Sequence, residues 1–213
     1  MNTAIRMAAL GVAVALAMTG AAQAALVDRG GGLIYDTGLN VTWLQDANYA
    51  KTSGYDADGK MRWTTAMTWS EAVTWAANLG YYDSIRNVTY TDWRLPTWTD
   101  TGAPGAQCTY GGTDCGWNID PASSEMAHLY FVELGNLSYY TTSGASSGAW
   151  SGGANPNSAL DNVGPFTNFQ SNYYWSGTEF APDPSNAWLF DTVDGYQGLI
   201  YKANSFYALA FRP

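Results

Sequence analysis

The segment YYWSGTEFAPDPSNAWLFDTVDGYQGLIYK, residues 173–202, decides the fold class. Its aromatic and β-branched runs predict three strands, Tyr173 to Ser176, Trp188 to Val193 and Tyr196 to Lys202. Asp194-Gly195, between the last two, is a two-residue turn that is typical of a β-hairpin. Strands this close in sequence predict an antiparallel meander.

The chain on either side of this meander predicts a long loop and a closing strand. Ser138 to Asn172 is rich in Ser, Gly, Asn and Thr and has no hydrophobic period, and loops of this length are often functional. After the meander, large and small side chains alternate, which predicts a half-buried final strand: Tyr207, Leu209 and Phe211 against Ala208, Ala210 and Arg212.

A hairpin and a helix are predicted nearer the N-terminus. Leu33 to Asp36 and Val41 to Leu44 are short apolar runs that flank a Thr37-Gly38 turn. Thr68 and Glu71 form a capping box at the start of a helix, because the glutamate can reach back to the Thr68 N–H. Gly80 is predicted to end this helix in a left-handed turn.

A second helix is predicted from Pro121, with Asp120 as its cap and Gly135 just past its end. Its apolar stripe is predicted to be core: Ala127, Tyr130, Phe131 and Leu134. His128, the sole histidine, lies beside this stripe and is predicted to be a packed or capping side chain. A zinc site at the cysteines is not expected with one histidine and one cysteine pair.

The element order predicts an α+β fold in which two helices pack on small antiparallel sheets. Residues 1–24 form a predicted signal peptide, with Arg6, an apolar run and the small-residue cleavage site Ala22-Gln23-Ala24. Residues 25–213 are predicted to form a single domain, because one core suffices for a chain of this size. The protein is therefore expected to be secreted, extracellular or periplasmic, without stable membrane insertion.

The charge balance limits the classes of partner. The chain has 9 Lys and Arg against 18 Asp and Glu, and cleavage removes Arg6, which leaves a mature charge of −10. Nucleic acid, heparin-like chains and anionic membrane surfaces all require a positive field. None of these three is an expected partner.

Cys108 and Cys115 are the only cysteines, and export predicts a disulfide between them. The chain also contains 10 Trp and 15 Tyr but only 13% charged residues. Most of these rings are expected in the core, including Trp43, Trp93 and Trp175. Rings that reach the surface would suit flat, uncharged ligands such as sugars.

An ordered set of motifs resembles one family, DUF1566, also called the Lcl C-terminal domain, over about Leu33 to Arg212. The motifs are Asp36-Thr37-Gly38-Leu39 with Trp43, Thr68-Trp69-Ser70-Glu71-Ala72, Asp92-Trp93-Arg94-Leu95-Pro96-Thr97, Ser124-Glu125-Met126-Ala127-His128-Leu129, Tyr174-Trp175-Ser176-Gly177-Thr178-Glu179 and Ala210-Phe211-Arg212. The resemblance implies a C-type-lectin-like fold and a role in glycan adhesion on bacterial surface or secreted proteins. The glycosaminoglycan ligand known in that family fits a basic surface, whereas this chain is acidic.

Within this resemblance, the long loop is where C-type lectins bind calcium. Asn155-Pro156-Asn157 has the position of that element but begins with an amide rather than an acid, so a turn is predicted. No cofactor is predicted; the residues that would serve calcium are Asn155, Asn157, Asp161 and Asp191. Arg94 is expected to hold a carboxylate partner in an architectural pair.

No enzyme is predicted. Gly144 to Gly148 matches the hydrolase pattern Gly-x-Ser-x-Gly, but the pattern lies in the loop rather than between a strand and a helix. The cysteine pair does not lie where formylglycine-generating relatives carry theirs.

The sequence therefore predicts a non-catalytic module that binds a glycan or surface polysaccharide through ring faces and neutral polar groups of the long loop and its neighbours. The expected ligand-binding residues are Trp150, Asn155, Asn157, Asp161, Trp188 and Tyr196. The alternative is a structural or assembly module of the cell envelope or matrix that contacts protein.

Overall fold

A computed structural model describes residues 25–55, 66–99, 105–112, 114–149 and 160–213. These residues adopt an α+β fold of small, mostly antiparallel sheets with few and short helices. The predicted signal peptide lies outside the described residues. Within the described ranges, each helix falls short of the length and apolar character that a membrane span requires.

The strands and helices are bounded as follows. The strands are β1 (Leu26–Asp28), β2 (Leu33–Asp36), β3 (Val41–Leu44), β4 (Tyr81–Asp83), β5 (Val88–Tyr90), β6 (Cys108–Thr109), β7 (Cys115–Trp117), β8 (Tyr173–Glu179), β9 (Asn186–Asp191), β10 (Tyr196–Tyr201) and β11 (Phe211–Arg212). The helices are α1 (Tyr49–Thr52), α2 (Trp69–Ala77) and α3 (Glu125–Ala127), and α3 continues into a π-helix, His128–Glu133.

The first sheet joins the two ends of the described chain, in the order β1-β2-β3-β11. β2 and β3 pair antiparallel with Leu33 opposite Leu44, which confirms the predicted N-terminal hairpin. β11 pairs with β3, so that Phe211 lies opposite Trp43.

The second sheet has the order β6-β7-β10-β9-β8 and contains the predicted meander. The predicted two-residue turn is wrong, because Tyr196 pairs with Asp191 and the four residues 192–195 form the turn. Thr192 explains the difference: its hydroxyl lies 2.7 Å from the Gln170 carbonyl oxygen, which draws it away from the strand ladder. β4 and β5 form a separate hairpin.

The first predicted helix is confirmed as α2. The Thr68 N–H donates to the Glu71 carboxylate at 2.7 Å, as the capping box requires. The predicted left-handed end at Gly80 is wrong, because α2 ends at Ala77 and Gly80 is not among the residues with positive φ.

The second predicted helix begins later than the sequence indicates. Asp120 accepts the Ala122 N–H at 2.9 Å and forms a turn rather than a helix cap. The Ser123 carbonyl accepts the Thr99 N–H at 2.8 Å, so it pairs with a neighbouring segment rather than with a helix. Ser124 is the actual cap, since its hydroxyl accepts the Ala127 N–H. The predicted end is confirmed by Gly135, which has φ +68°.

Two main hydrophobic clusters lie on opposite sides of the chain's last segment. Leu209 and Phe211 pack in the cluster that contains the predicted helical stripe, and Ala208 and Ala210 pack in the cluster around α2. The predicted half-buried strand is therefore wrong, because both of its sides are covered. The small alanines suit the second cluster, which is already filled by large rings.

The predicted architectural roles are confirmed. Trp43, Trp93 and Trp175 are all buried. Arg94 forms a bidentate pair with Glu125, with both N–O distances at 2.7 Å. The same carboxylate accepts the Thr97 N–H at 2.6 Å, which fixes the start of α3 against the loop before it.

Candidate functional site

Five rings gather at one end of the second sheet, and we call them the aromatic cluster: Tyr110, Trp117, Tyr139, Tyr140 and Tyr196. Tyr110 stacks on Trp117 with the ring centroids 5.4 Å apart and the planes 19° apart. Tyr140 and Tyr196 meet the indole edge-on at 4.8 and 4.9 Å. Tyr110 is 43% exposed, and the other four rings are half-buried.

Strand pairing and the disulfide bring this cluster together. Trp117 on β7 lies directly opposite Tyr196 on β10. The predicted disulfide between Cys108 and Cys115 is present and pairs β6 with β7. Tyr110 lies inside the short loop that this bond closes, so its ring is held near the indole.

The backbone beneath the cluster is closely packed. Gly116 has φ +107°, and a Cβ there would lie 1.9 Å from the Thr109 carbonyl oxygen, so only glycine fits. The Asn118 side-chain amide donates to the carbonyl oxygens of Tyr110 and Tyr140 at 2.7 and 2.8 Å. The disulfide loop and the long loop are therefore joined through one amide.

Two carboxyl groups border the rings. The Trp117 indole N–H donates to Asp194 at 3.1 Å, and the Tyr196 backbone N–H donates to the other oxygen of Asp194 at 3.0 Å. Burial raises the pKa of Asp194. Burial also raises the pKa of Asp191, the last residue of β9, to about 7. The border of the cluster is thus acidic, and burial favours the neutral form of both carboxyl groups.

This arrangement could bind a flat ligand. The exposed Tyr110 ring, backed by Trp117 and Tyr140, offers apolar surface, and the carboxyl group of Asp194 can accept a hydroxyl hydrogen bond. Rings with a few fixed polar groups are the usual composition of small-ligand sites.

One predicted ligand-binding residue is in the wrong place. Trp188 is 1% exposed, with its ring centroid 4.2 Å from that of Trp98 and 5.9 Å from that of Phe180. The prediction that its face meets solvent is wrong, because Trp98 and Phe180 cover this part of β9.

The other predicted residues divide into three groups. Tyr196 belongs to the aromatic cluster. Asp161 is exposed and donates its backbone N–H to Asn136 at 3.1 Å, and in the described ranges it shares no three-ligand set with Asp191. Trp150, Asn155 and Asn157 lie outside the described residues, so the Asn155-Pro156-Asn157 turn stays a prediction.

A second grouping, which we call the Asp36 triad, lies away from the rings and contains Asp36, His128 and Glu133. The His128 Nε2 atom is 3.2 Å from a Glu133 oxygen and 3.9 Å from Asp36 Oδ1. One potential ligand atom from each residue lies within 4.8 Å of the others. These three residues could hold a metal ion.

The π-helix creates the triad. Residues five apart point about 140° apart around an α-helix, whereas the wider π turn brings His128 and Glu133 to the same side. The Leu134 N–H confirms the wider turn by donating to the carbonyl of Leu129, five residues back, at 3.0 Å. π segments of this kind occur often at functional sites.

Asp36 enters the triad from the last position of β2. One of its oxygens accepts the backbone N–H groups of Gly38 and Leu39, both at 2.9 Å, and the other accepts the Trp43 indole N–H at 3.2 Å. Three donors fix this fully buried carboxylate in one orientation.

An apolar groove lies beside α2. It has a volume of about 160 Å³ and is lined by Val73, Trp93 and Leu95 among others. Ligand pockets usually have at least about 300 Å³. Its one charged side chain, Arg94, is already paired with Glu125, so the groove has no free polar group to orient a ligand.

Sequence reasoning missed Tyr110, Trp117 and the Asp36 triad for identifiable reasons. The sequence predicts the disulfide loop, but it does not indicate that Tyr110 in this loop contacts Trp117 on the neighbouring strand. The triad depends on a π-helix, and a search at the 3.6-residue period assigns Glu133 to a different side of the helix than His128.

Compared with known proteins, the chain matches no family model, no curated protein and no solved structure.

Proposed function

We propose that the protein is an exported, non-catalytic module that binds glycans through the aromatic cluster. The observation that carries the proposal is the Tyr110 ring, 43% exposed and stacked on Trp117 at the end of the second sheet. The predicted signal peptide and the disulfide support export. The ordered motifs support a C-type-lectin-like fold of the DUF1566 family, in which glycan adhesion is known.

The chemistry of a sugar ring matches this surface. A pyranose has an apolar face of C–H groups, which can lie on the exposed part of Tyr110, and hydroxyls at its edge, which can reach Asp194. The rings behind Tyr110 hold it in one orientation, so that little conformational entropy is lost on binding.

The charge of the protein narrows the ligand class. A net charge of −9 for the full chain repels sulfated and phosphorylated polymers. Neutral or weakly charged glycans are therefore the proposed ligands, and glycosaminoglycans are not.

A glycan array on the protein without residues 1–24, followed by calorimetry on each hit, tests the proposal. Tyr110→Ala should lower the affinity at least about tenfold, because an exposed aromatic anchor carries much of the binding energy. Tyr82→Ala is the matched control, since Tyr82 is a 57% exposed tyrosine on a separate hairpin. Array runs with calcium and with a chelator also test the calcium prediction.

The outcomes are distinct. Equal loss of binding in both variants would assign the effect to general surface change rather than to the aromatic cluster. The absence of binding to every neutral and acidic sugar, with and without calcium, would remove the proposal.

The alternative function, assembly through protein contacts, is favoured by one specific feature. The β4–β5 hairpin exposes Tyr82, Ile85 and Val88, and Ile85 is 64% exposed. Adjacent exposed apolar side chains of this kind mark interaction surfaces. Light scattering after size-exclusion chromatography would support assembly if the protein self-associates and Ile85→Ser abolishes the association without affecting sugar binding.

A further inference from the structure

The Asp36 triad has the composition of a metal site rather than of an ordinary core. It joins one imidazole nitrogen to two carboxylates, a ligand set that first-row divalent ions accept. The side chains of Asp36 and Glu133 are almost completely buried, at 0% and 1% exposure. Acidic side chains are almost never so deeply buried unless they are paired or bind an ion.

The spacing of the triad fits a single ion. Ligands 2.0–2.2 Å from a tetrahedral zinc ion lie about 3.4 Å from one another. The two measured separations, 3.2 Å from His128 to Glu133 and 3.9 Å from His128 to Asp36, lie on either side of that value. Small side-chain rotations would therefore bring all three atoms onto one ion.

The triad also has unused binding capacity. One carboxylate oxygen of Glu133, Oε2, is buried and has no hydrogen-bond partner among protein atoms. A buried acceptor without a donor is unfavourable, so this oxygen has capacity left to bind a cation.

A route to solvent exists at His128. Its side chain is 15% exposed, whereas the two carboxylates are enclosed. Backbone and indole donors already hold Asp36 in position, as metal-bound carboxylates are commonly held by hydrogen bonds of their own. An ion could therefore enter at the imidazole and meet a carboxylate that is preoriented.

We propose that Asp36, His128 and Glu133 bind one first-row divalent metal ion, for which Zn²⁺ is the appropriate probe. The ion would tie β2, and thus the first sheet, to the π-helix and would balance the two buried carboxylates. The site is separate from the aromatic cluster, so it does not depend on glycan binding.

Zinc titration of the untagged protein, without residues 1–24, tests the proposal directly. His128 is the only histidine, so a ¹⁵N-labelled sample gives imidazole signals from this ring alone. Zinc should shift these signals with a stoichiometry of one and should raise Tm, whereas Mg²⁺ at the same concentration should do neither.

Variants locate the site. His128→Gln should abolish zinc binding in calorimetry, and Glu133→Gln, which keeps the side-chain shape, should weaken it at least about tenfold. Asp191→Asn is the matched control, because it removes a buried carboxyl group elsewhere and should leave zinc affinity unchanged. The imidazole titration of the unmodified protein decides the case even if a variant does not fold.

Two results would overturn the proposal. Absence of any imidazole shift at millimolar zinc would show that the triad does not bind the ion and that its three side chains only contact one another. Zinc binding that persists in His128→Gln with unchanged affinity would assign the metal to surface carboxylates.

Discussion

Two groups of rings on the same sheet have opposite relations to solvent. Trp188 on β9 is enclosed by Trp98 and Phe180, whereas Trp117 on β7 belongs to a cluster whose outermost ring, Tyr110, is exposed. The indole N–H groups differ as well. That of Trp117 donates to Asp194, whereas that of Trp98, in the enclosed group, is buried without a partner.

This difference teaches that the exposure of a ring depends on what covers its strand. Trp98 comes from a segment distant in sequence, and Phe180 comes from the connection between β8 and β9. Both cover Trp188 because apolar burial outweighs one unsatisfied N–H. Among the residues that the structure describes, no ring covers the end of β7 in this way, and Tyr110 stays exposed. The enclosed group should therefore contribute mainly to stability, and the aromatic cluster mainly to binding.

The largest expected effect is on the enclosed group. Trp188→Ala should lower the free energy of unfolding by about 4 kcal/mol, because it removes a fully buried ring and leaves a cavity. Urea denaturation followed by circular dichroism measures it. A loss below about 1 kcal/mol would contradict the burial of this ring, and Trp188→Phe, as a control, should cost roughly half as much.

The disulfide should have the next largest effect. Replacement of both Cys108 and Cys115 by Ala should cost about 2.5 kcal/mol, the loop entropy of a closure this short. Urea unfolding with and without reductant gives the same quantity in the unmodified protein. Because the bond also orders Tyr110, glycan affinity should fall in the double variant, and unchanged affinity would show that the cluster forms without the bond.

The acidic border of the cluster predicts a pH dependence. Burial raises the pKa of Asp191 from 3.8 to about 7, so the folded protein binds more protons than the unfolded chain between these values. The stabilising contribution of this group is complete below pH 3.8 and is lost as the pH rises through about 7. Where only the folded state holds the proton, the slope approaches about −1.4 kcal/mol per pH unit.

The free energy of unfolding of the unmodified protein and of Asp191→Asn, measured at several pH values, isolates the contribution of Asp191. Other groups act in the opposite direction, since hydrogen bonds from Arg212 lower the pKa of Asp92. The difference between the two proteins cancels these contributions. Equal slopes would show that Asp191 titrates normally in the folded protein.

The smallest expected effect on stability belongs to the exposed ring. Tyr110→Ala should lower the free energy of unfolding by about 1–2 kcal/mol, because it removes two aromatic contacts, to Trp117 and Tyr140. Thermal unfolding monitored by circular dichroism measures it. A loss as large as that of Trp188→Ala would remove the distinction between the two groups of rings.

Local sequence patterns predict much of the fold. The N-terminal hairpin, the capping box at Thr68 and the meander all follow from residues that are close in sequence, and the structure contains them. The errors lie where a distant segment intervenes. The Thr192 hydroxyl donates to the Gln170 carbonyl, and the Ser123 carbonyl accepts the Thr99 N–H. Neighbouring residues therefore did not predict the end of β9 or the start of α3.

The candidate site was less accessible to prediction. The sequence predicts Tyr196 as a ligand-binding residue, and the structure places it in the aromatic cluster. It also predicts a surface position for Trp188, which is wrong because amino-acid composition does not indicate which rings are buried. Asp36 meets His128 only after the first hairpin packs on the helical segment. Glu133 joins them only because a π turn replaces an α turn, a choice that sequence periodicity does not encode.

The sequence by itself determined the α+β class, the strand and helix nuclei, the disulfide and the acidic net charge. Hydrophobic periodicity, helix capping and turn chemistry each depend on a few neighbouring residues, so they can be predicted from the sequence alone. Only the tertiary structure decided which rings reach solvent and which acids share a histidine. Burial and charge pairing depend on segments brought together by the whole fold, and no local pattern contains that information.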